Sequence, residues 1–311
     1  METARRHEIS QWIKNRSSEL GFAICGIARA ALLEKDAERL NQWLANGFHG
    51  EMHYMARNTD KRPDPRILLP EARSVIMLLV NYFPAETLPE KDNYKIARYA
   101  YGMDYHLVIR EKLNQLGREM TEMTGPVQYR AFTDSAPVME RAWAEKAGLG
   151  WIGKNTCLIN PNLGSFVFIG EIITDLELEY DDRITNDRCG GCTRCIDACP
   201  TGAIIAPHMV DSRKCISYYT IEFRGDLPSE EKEKFNDWIF GCDICQEVCP
   251  WNRKALPHCE RVFLPAPGLI DMNKEKWEHL SSEEFNTLFK KGAVKRTGFE
   301  GLKRNINFLK K

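Results

Sequence analysis

Eight of the eleven cysteines crowd into residues 189–249, and their spacing limits the fold more than any hydrophobic pattern does. Cys189-x2-Cys192-x2-Cys195-x3-Cys199-Pro200 packs four thiols into eleven residues. A run this tight wraps around a four-iron cubane: the first three thiolates take three corners, and the fourth, placed before a proline, reaches a neighbouring cluster. Cys242-x2-Cys245-x3-Cys249-Pro250 repeats the end of that run without its first cysteine, and Cys215 is available to complete it. The count closes at two sets of four. Cys189, Cys192, Cys195 and Cys249 form one [4Fe–4S] site, and Cys199, Cys215, Cys242 and Cys245 the other. Zinc usually takes two separate CxxC knuckles with a spacer, so the spacing favours iron–sulfur chemistry and one-electron transfer.

The rest of the 311 residues reads as ordinary globular protein, 43% hydrophobic and 28% charged, which excludes disorder and fibrous repeats. The longest purely apolar run, Val75–Val80, is far too short to span a membrane. Arg5-Arg6 is followed by His7-Glu8 rather than an apolar stretch, so no export signal is read. A cytoplasmic protein is expected, where cysteines serve metals or catalysis more often than disulfides. Amphipathic spacing predicts helices over the first 20 residues, 31–45, 105–123 and 138–147. Apolar stretches bounded by turn residues predict strands over 22–28, 74–82, 127–132 and 165–174. Without a regular βαβ period, the expected class is α+β, ending near residue 180.

Two charge features stand out. Six carboxylates fall between Glu171 and Asp182, leading into the cysteines. Lys290–Lys311 sets eight basic residues against Glu300, a charge of +7, so the remaining residues sum to −8 in a chain of −1. Such a tail is either a phosphate-binding arm or a solvated helical end.

Three motifs fail on inspection. Gly148-Leu-Gly150-Trp-Ile-Gly153 matches a dinucleotide fingerprint but follows a helical segment instead of a strand. Read as a P-loop, the same stretch has Asn155 where a magnesium-binding Ser or Thr belongs. Asp104-Tyr105-His106 opens like a histidine-ligated corrinoid loop, yet Ile109 stands where that loop needs glycine. His106 is then an exposed or capping side chain. Asp134 sits where a strand leaves the sheet, a common place for reactive groups, although Asp there also serves as turn former or helix cap.

Taken together these segments resemble the epoxyqueuosine reductases. The resemblance rests on Arg98-Tyr99-Ala100, Gly102-x-Asp104-Tyr105-His106, Thr133-Asp134-Ser135-Ala136-Pro137-x-x-Glu140-Arg141, Gly148-Leu-Gly150-x-x-Gly153-Lys154-Asn155, Gly164-Ser165 and the two cysteine runs, from about residue 20 to about 305. It implies a nitroreductase-like α+β domain over residues 1–180 that holds cobalamin base-off. A ferredoxin-like module with two [4Fe–4S] clusters would follow over 181–259, then a helical basic segment over 260–311. The family reduces epoxyqueuosine to queuosine at the wobble position of tRNA anticodons. On this resemblance Asp134 is the proton donor, with a pKa raised beside the corrin so that it stays neutral. Arg57, Ala97, Tyr99, the Lys154-Asn155-Thr156-Cys157 turn, Ser165 and Asp243 lie around the corrin, Ala97 by backbone or van der Waals contact only. The tail, through Lys295, Arg296, Lys303 and Arg304, grips the anticodon arm. An external donor such as flavodoxin or ferredoxin supplies electrons to a monomer with no membrane contact. Longer relatives carry a C-terminal helical-repeat extension, so RNA contact here is expected to rest on the core and the tail. A reductive-dehalogenase-like enzyme and a non-enzymatic iron–sulfur module are the two alternatives.

Overall fold

The computed structural model describes residues 2–182 and 187–310. Its principal elements, in chain order, are α1 (Glu2–Glu19), β1 (Ile24–Arg29), α2 (Glu34–Ala45), β2 (Ser74–Asn81), β3 (Lys95–Ile96), α3 (Tyr105–Thr124), β4 (Tyr129–Phe132) and α4 (Glu140–Lys146). β5 (Val167–Thr174), α5 (Ile216–Ile221), β6 (Trp238–Phe240) and α6 (Gly298–Leu309) complete the set.

Strand β2 organises the first half. Every residue from Ser74 to Val80 is buried, and a strand apolar on both faces must be covered on both. The sheet runs β1-β2-β5-β4 with each pairing antiparallel. Ile76, Leu78 and Val80 face Ile9 and Ile13 of α1 and Ile109, Leu113 and Met120 of α3. Val75, Met77 and Leu79 point the other way, onto Leu33, Val138, Ala142 and Trp143. The sheet is therefore sandwiched between α1 and α3 on one side and α4 on the other. Gly170 of β5 lets α3 lie close, since a Cβ there would stand 2.9 Å from Ile109 Cγ2.

Most expected elements appear within two residues of their predicted ends. α4 starts at Glu140 because the Val138 amide is already turned back onto the Ala136 carbonyl (2.8 Å). The acidic stretch has a structural use. Glu177 pairs with Arg6 (2.7 Å), and Asp181 pairs with Lys14 (2.5 Å) while accepting the Ile27 amide (2.8 Å). These bonds pin α1 against the sheet.

A second core lies beside the first. Residues 88–101 contribute to it together with residues 216–309. β3 pairs parallel with β6, Lys95 opposite Trp238 and Ile96 opposite Phe240. Tyr94, Phe240, Trp277, Phe289 and Ile306 are essentially unexposed there. Asn305 of α6 is buried, and its amide donates to the Thr220 and Ile239 carbonyls (both 2.9 Å), locking α6 onto α5 and β6. Among the described residues no helix is long and apolar enough to cross a membrane.

Candidate active site

The array around Asp134 grows from the start of α3 and the end of β4. Asp104 caps α3, its carboxylate accepting the His106 amide (3.0 Å). The same oxygen lies 2.7 Å from His106 Nδ1, which fixes the ring. His106 Nε2 is 3.7 Å from the Asp134 carboxylate, and the Tyr105 hydroxyl donates to that carboxylate at 2.7 Å. Tyr105 is held by stacking on Phe168 at 4.2 Å between ring centroids. Asp134 itself adopts a left-handed backbone, φ 48°, and its side chain is 66% exposed. Non-glycine residues visit that region at a cost. Here the Glu140 carboxylate, accepting the Asp134 amide, helps hold the turn.

The electrostatics correct one expectation. Desolvation by the surrounding residues tends to raise Asp134, but the Tyr105 hydrogen bond, with the charges of His106 at 3.7 Å and of Arg141, holds it below the ordinary carboxylate range. Against the lowering effect of burial, Asp104 and Asp134 push His106 up to about 9. At neutral pH the resting array is an ion pair, with the proton on His106 and not on Asp134. The carboxyl that burial does raise is Glu140, pushed up to about 8 by desolvation and the Asp134 charge. Glu171 on β5 is wholly buried and is raised well above the ordinary carboxylate range by desolvation and by the charge of Glu140.

The 154–157 turn joins this array to the cysteines. Thr156 is left-handed, φ 66°, and its carbonyl accepts Arg141 Nη1 at 2.6 Å. Lys154 Nζ donates to the carbonyls of Gly190 (2.6 Å) and Cys192 (3.0 Å). Asn155 donates to the Cys245 carbonyl (3.3 Å). Ser165 is buried in a network with Gln246 (3.0 Å) and Asn252 (2.9 Å). Asp243 is buried and accepts the Arg98 amide (2.8 Å), and desolvation pushes it up to about 6. Tyr99 lies within electrostatic reach of Asp134 and Asp243, and Cys157 within reach of Asp243 and Arg141. The 154–157 turn and Asp243 link the Asp134 array to the cysteine loops, and Tyr99 stands 6.2 Å from Tyr105 between ring centroids, an aromatic and amide-bearing setting compatible in chemistry with a corrin and its amide side chains. Ala97 is buried against Gly241, whose own Cβ would stand 2.5 Å from that of Ala97. Arg57 is exposed, in a segment whose Tyr54 and Arg62 lie within electrostatic reach of Asp134.

The eight clustered cysteines fall into two neighbourhoods. Cys195 is within electrostatic reach of Cys189 and Cys249, and Cys249 within reach of Cys189 and Cys192. Cys242 is within reach of Cys215 and Cys199, and Cys245 within reach of Cys242 and Cys215. Among the described residues no three such side chains converge on one metal ion. A cubane asks for something wider, because each thiolate binds a separate iron.

The four basic residues expected to meet RNA divide into two kinds. Lys303 Nζ donates to the Glu278 carbonyl (2.5 Å), and Arg304 donates to the carbonyls of Phe223 (2.8 Å), Gly225 (3.0 Å) and Tyr219 (2.9 Å). Both are occupied inside the fold. Arg296 pairs with Glu222 (2.6 Å) yet stays within electrostatic reach of Asp134. Lys295 is exposed and lines an open groove of about 700 Å³ with Lys290, Asn286 and Glu283. Reasoning from sequence left His106 as an exposed or capping side chain and gave no role to Tyr105, Glu140 or Glu171. One signal was available: Glu171 is a lone carboxylate inside the apolar strand SFVFIGEIIT.

Residues 188–252 match the family model for a 4Fe–4S double cluster binding domain. A carboxylate–imidazole array on a mixed α/β sheet, beside such a domain, defines an iron–sulfur oxidoreductase. Residues 62–135 match the family model described as epoxyqueuosine reductase QueG. An epoxyqueuosine reductase of Cellulophaga algicola is 53% identical over 310 residues, covering 100% of both chains. The chain therefore belongs to the epoxyqueuosine reductase family. Two solved structures share its fold. An epoxyqueuosine reductase with an epoxyqueuosine-modified tRNA-Tyr stem loop has a TM-score of 0.89 at 29% identity, over 97% of this chain and 80% of that one. The enzyme from Bacillus subtilis, described with its Asp134 catalytic loop swung out of the active site, has a TM-score of 0.88 at 28% identity, over 97% and 81%.

Proposed function

We propose that this chain reduces epoxyqueuosine to queuosine at the wobble position of tRNA anticodons, with Asp134 delivering a proton to the departing epoxide oxygen. The observation that carries this reading is the Asp134 carboxylate at an open site, bonded to the Tyr105 hydroxyl and facing His106 Nε2 at 3.7 Å. Removing an epoxide oxygen as water consumes two electrons and two protons and leaves an alkene. Two [4Fe–4S] clusters, on Cys189, Cys192, Cys195 and Cys249 and on Cys199, Cys215, Cys242 and Cys245, would carry the electrons singly. Cobalamin, bound base-off on a nitroreductase-like sheet, would supply a reduced cobalt able to open the strained ring. Tyr99, the 154–157 turn, Ser165 and Asp243, with Arg57 at the rim and Ala97 behind, would surround it.

The protein's own part is proton handling. His106, charged at neutral pH and oriented by Asp104, stores a proton beside Asp134. When substrate excludes water, desolvation disfavours the carboxylate charge and moves the proton onto Asp134, from which it passes to oxygen. Tyr105 holds the carboxylate in line. The B. subtilis relative supports a mobile loop at this point, and here that loop is held by Tyr105 and Glu140.

An RNA substrate is supported by the relative solved with a modified stem loop. Residues 1–180 would catalyse, 181–259 carry the clusters, and 260–311 face the anticodon arm, with Lys295 and Arg296 as its contacts. A cytoplasmic monomer served by flavodoxin or ferredoxin completes the reading. The test is anaerobic turnover of an epoxyqueuosine-containing anticodon stem loop, with and without cobalamin. Turnover only with cobalamin is expected. Cobalamin-independent turnover, or no change in the visible spectrum of cobalamin at micromolar protein, would sink it.

A further inference from the structure

We propose that Tyr54 and Arg296 form a stacking and phosphate seat, beside the catalytic loop, for the nucleotide next to the modified one. The proposal rests on the RNA substrate of the reading given above. Tyr54 lies on a short 3-10 turn, His53–Ala56, and is 42% exposed. Arg62 fixes that turn by donating to the carbonyls of Tyr54 (2.8 Å) and Arg57 (3.3 Å). The Arg62 carbonyl in turn accepts the Met139 amide (3.2 Å), immediately before α4. Glu140, the first residue of α4, accepts the Asp134 amide. Two successive residues thus hold the Tyr54 turn and the catalytic loop. The Tyr54 ring stands at the mouth of the site, within electrostatic reach of Asp134.

A lone exposed aromatic ring is ordinary surface. This one carries a guanidinium: Arg296 Cζ stands 5.9 Å from the ring centroid. Glu222 orients the guanidinium through two bonds (2.6 and 3.1 Å), and Arg224 donates to the Arg296 carbonyl (3.1 Å). The Arg296 side chain is nonetheless 53% exposed. Arg62 adds a second charge, since its donors go to carbonyls and no carboxylate among the described residues forms an ion pair with it. Extruding a nucleotide for chemistry breaks its stacking on both neighbours. A planar ring at the mouth offers one of those neighbours a new face, and base–aromatic stacking tolerates any base. The arginines answer the backbone phosphates that come with that base, which a phenol alone does not. A fixed ring flanked by guanidinium groups and open to solvent is a setting suited to single-stranded RNA.

The test uses the cluster-loaded enzyme with cobalamin and anticodon stem loops carrying epoxyqueuosine, with 2-aminopurine in place of its 5′ or its 3′ neighbour. In the parent, 2-aminopurine at one of the two positions is expected to stay quenched on binding, as a stacked base does. Tyr54→Ala is expected to brighten it and to weaken stem-loop binding about 5–150-fold, the loss of one base stack. Tyr54→Phe keeps the ring and is expected to match the parent in both. Arg296→Gln is expected to lower the salt dependence of binding by about one ion, and Tyr54→Ala to leave it unchanged. Binding by Tyr54→Ala equal to that of the parent overturns the proposal. So does a loss of cobalamin affinity in Tyr54→Ala with stem-loop binding unmoved, which would assign Tyr54 to the corrin. An unmoved salt dependence in Arg296→Gln overturns the phosphate half. If Tyr54→Ala does not fold, Tyr54→Leu removes the ring while keeping bulk and supplies the comparison. A parent that binds the stem loop without turning it over defeats the functional reading instead, and the fluorescence arm still decides Tyr54.

Discussion

At the scale of single residues, the resting site sets the Asp134 carboxylate against the Tyr105 hydroxyl and the His106 imidazole. Asp134→Asn preserves shape and removes the transferable proton, so turnover is expected to fall about 10²–10⁴-fold while the cobalamin spectrum is unchanged. Rate measurement on the modified stem loop, beside a cobalamin titration, checks both halves. His106→Gln removes the cation that holds Asp134 low. The acid limb of the pH–rate profile is then expected to move up toward the ordinary carboxylate value, and an unmoved limb would rule out the pairing. Asp134 was legible in the sequence because an aspartate leaving a strand is a recognisable position. Its ionisation state was not. That state is set by Tyr105 and His106 approaching from the first turn of another helix, a relation through space that residue order does not encode.

Among elements, β2 and β5 were plain from their unbroken apolar runs, and α3 from its spacing of Ile109, Leu113, Leu116 and Met120. What stayed hidden was the use of charge inside them. Glu171 sits on the face of β5 shared with Ile169 and Ile173, turned toward α4. A buried carboxyl with a raised pKa stabilises the folded state fully below its unfolded value, and that stability is lost as pH rises through the folded value. Thermal midpoints are accordingly expected to decline between about pH 5 and pH 8, less steeply in Glu171→Gln than in the parent. His106, also raised, adds the same sign up to about pH 9. The tail, whose charge reads as either a phosphate-binding arm or a solvated helical end, has α6 turning Lys303 and Arg304 inward to cap carbonyls. Asn305→Ala leaves two buried carbonyls unpaired and is expected to cost about 1–3 kcal/mol of stability, measurable by denaturant unfolding. Lys290→Ala and Lys295→Ala, both exposed, are expected to leave stability alone. They should instead weaken stem-loop binding and lower its salt dependence by about one ion each.

Across the whole molecule, the cysteine spacing located the redox half, but the way the halves interlock came only with the fold. Lys154 and Asn155 tie the 154–157 turn to the loops bearing both thiol sets, so disturbance at the cysteine loops should be felt beside Asp134. Removing iron with a chelator under anaerobic conditions is expected to lower the affinity for cobalamin as well as abolish turnover. Unchanged cobalamin affinity would show the two halves to be independent.

The pairing of β3 with β6 bears on how such a protein is made. β3 leaves the ribosome early, yet its partner strand and most of the core around Tyr94 and Ile96 come from the last third of the chain. A chain that folds as it emerges must carry residues 88–101 unpacked until α6 is released. The loop of Cys242 and Cys245 meets the first half through Arg98 on Asp243 and Asn155 on the Cys245 carbonyl, but Thr220, Ile239 and Phe240 behind it are packed by α6. Iron insertion at Cys242 and Cys245 is thereby tied to the packing of α6, and a ribosome-stalled chain lacking α6 is expected to emerge without the cluster on Cys199, Cys215, Cys242 and Cys245.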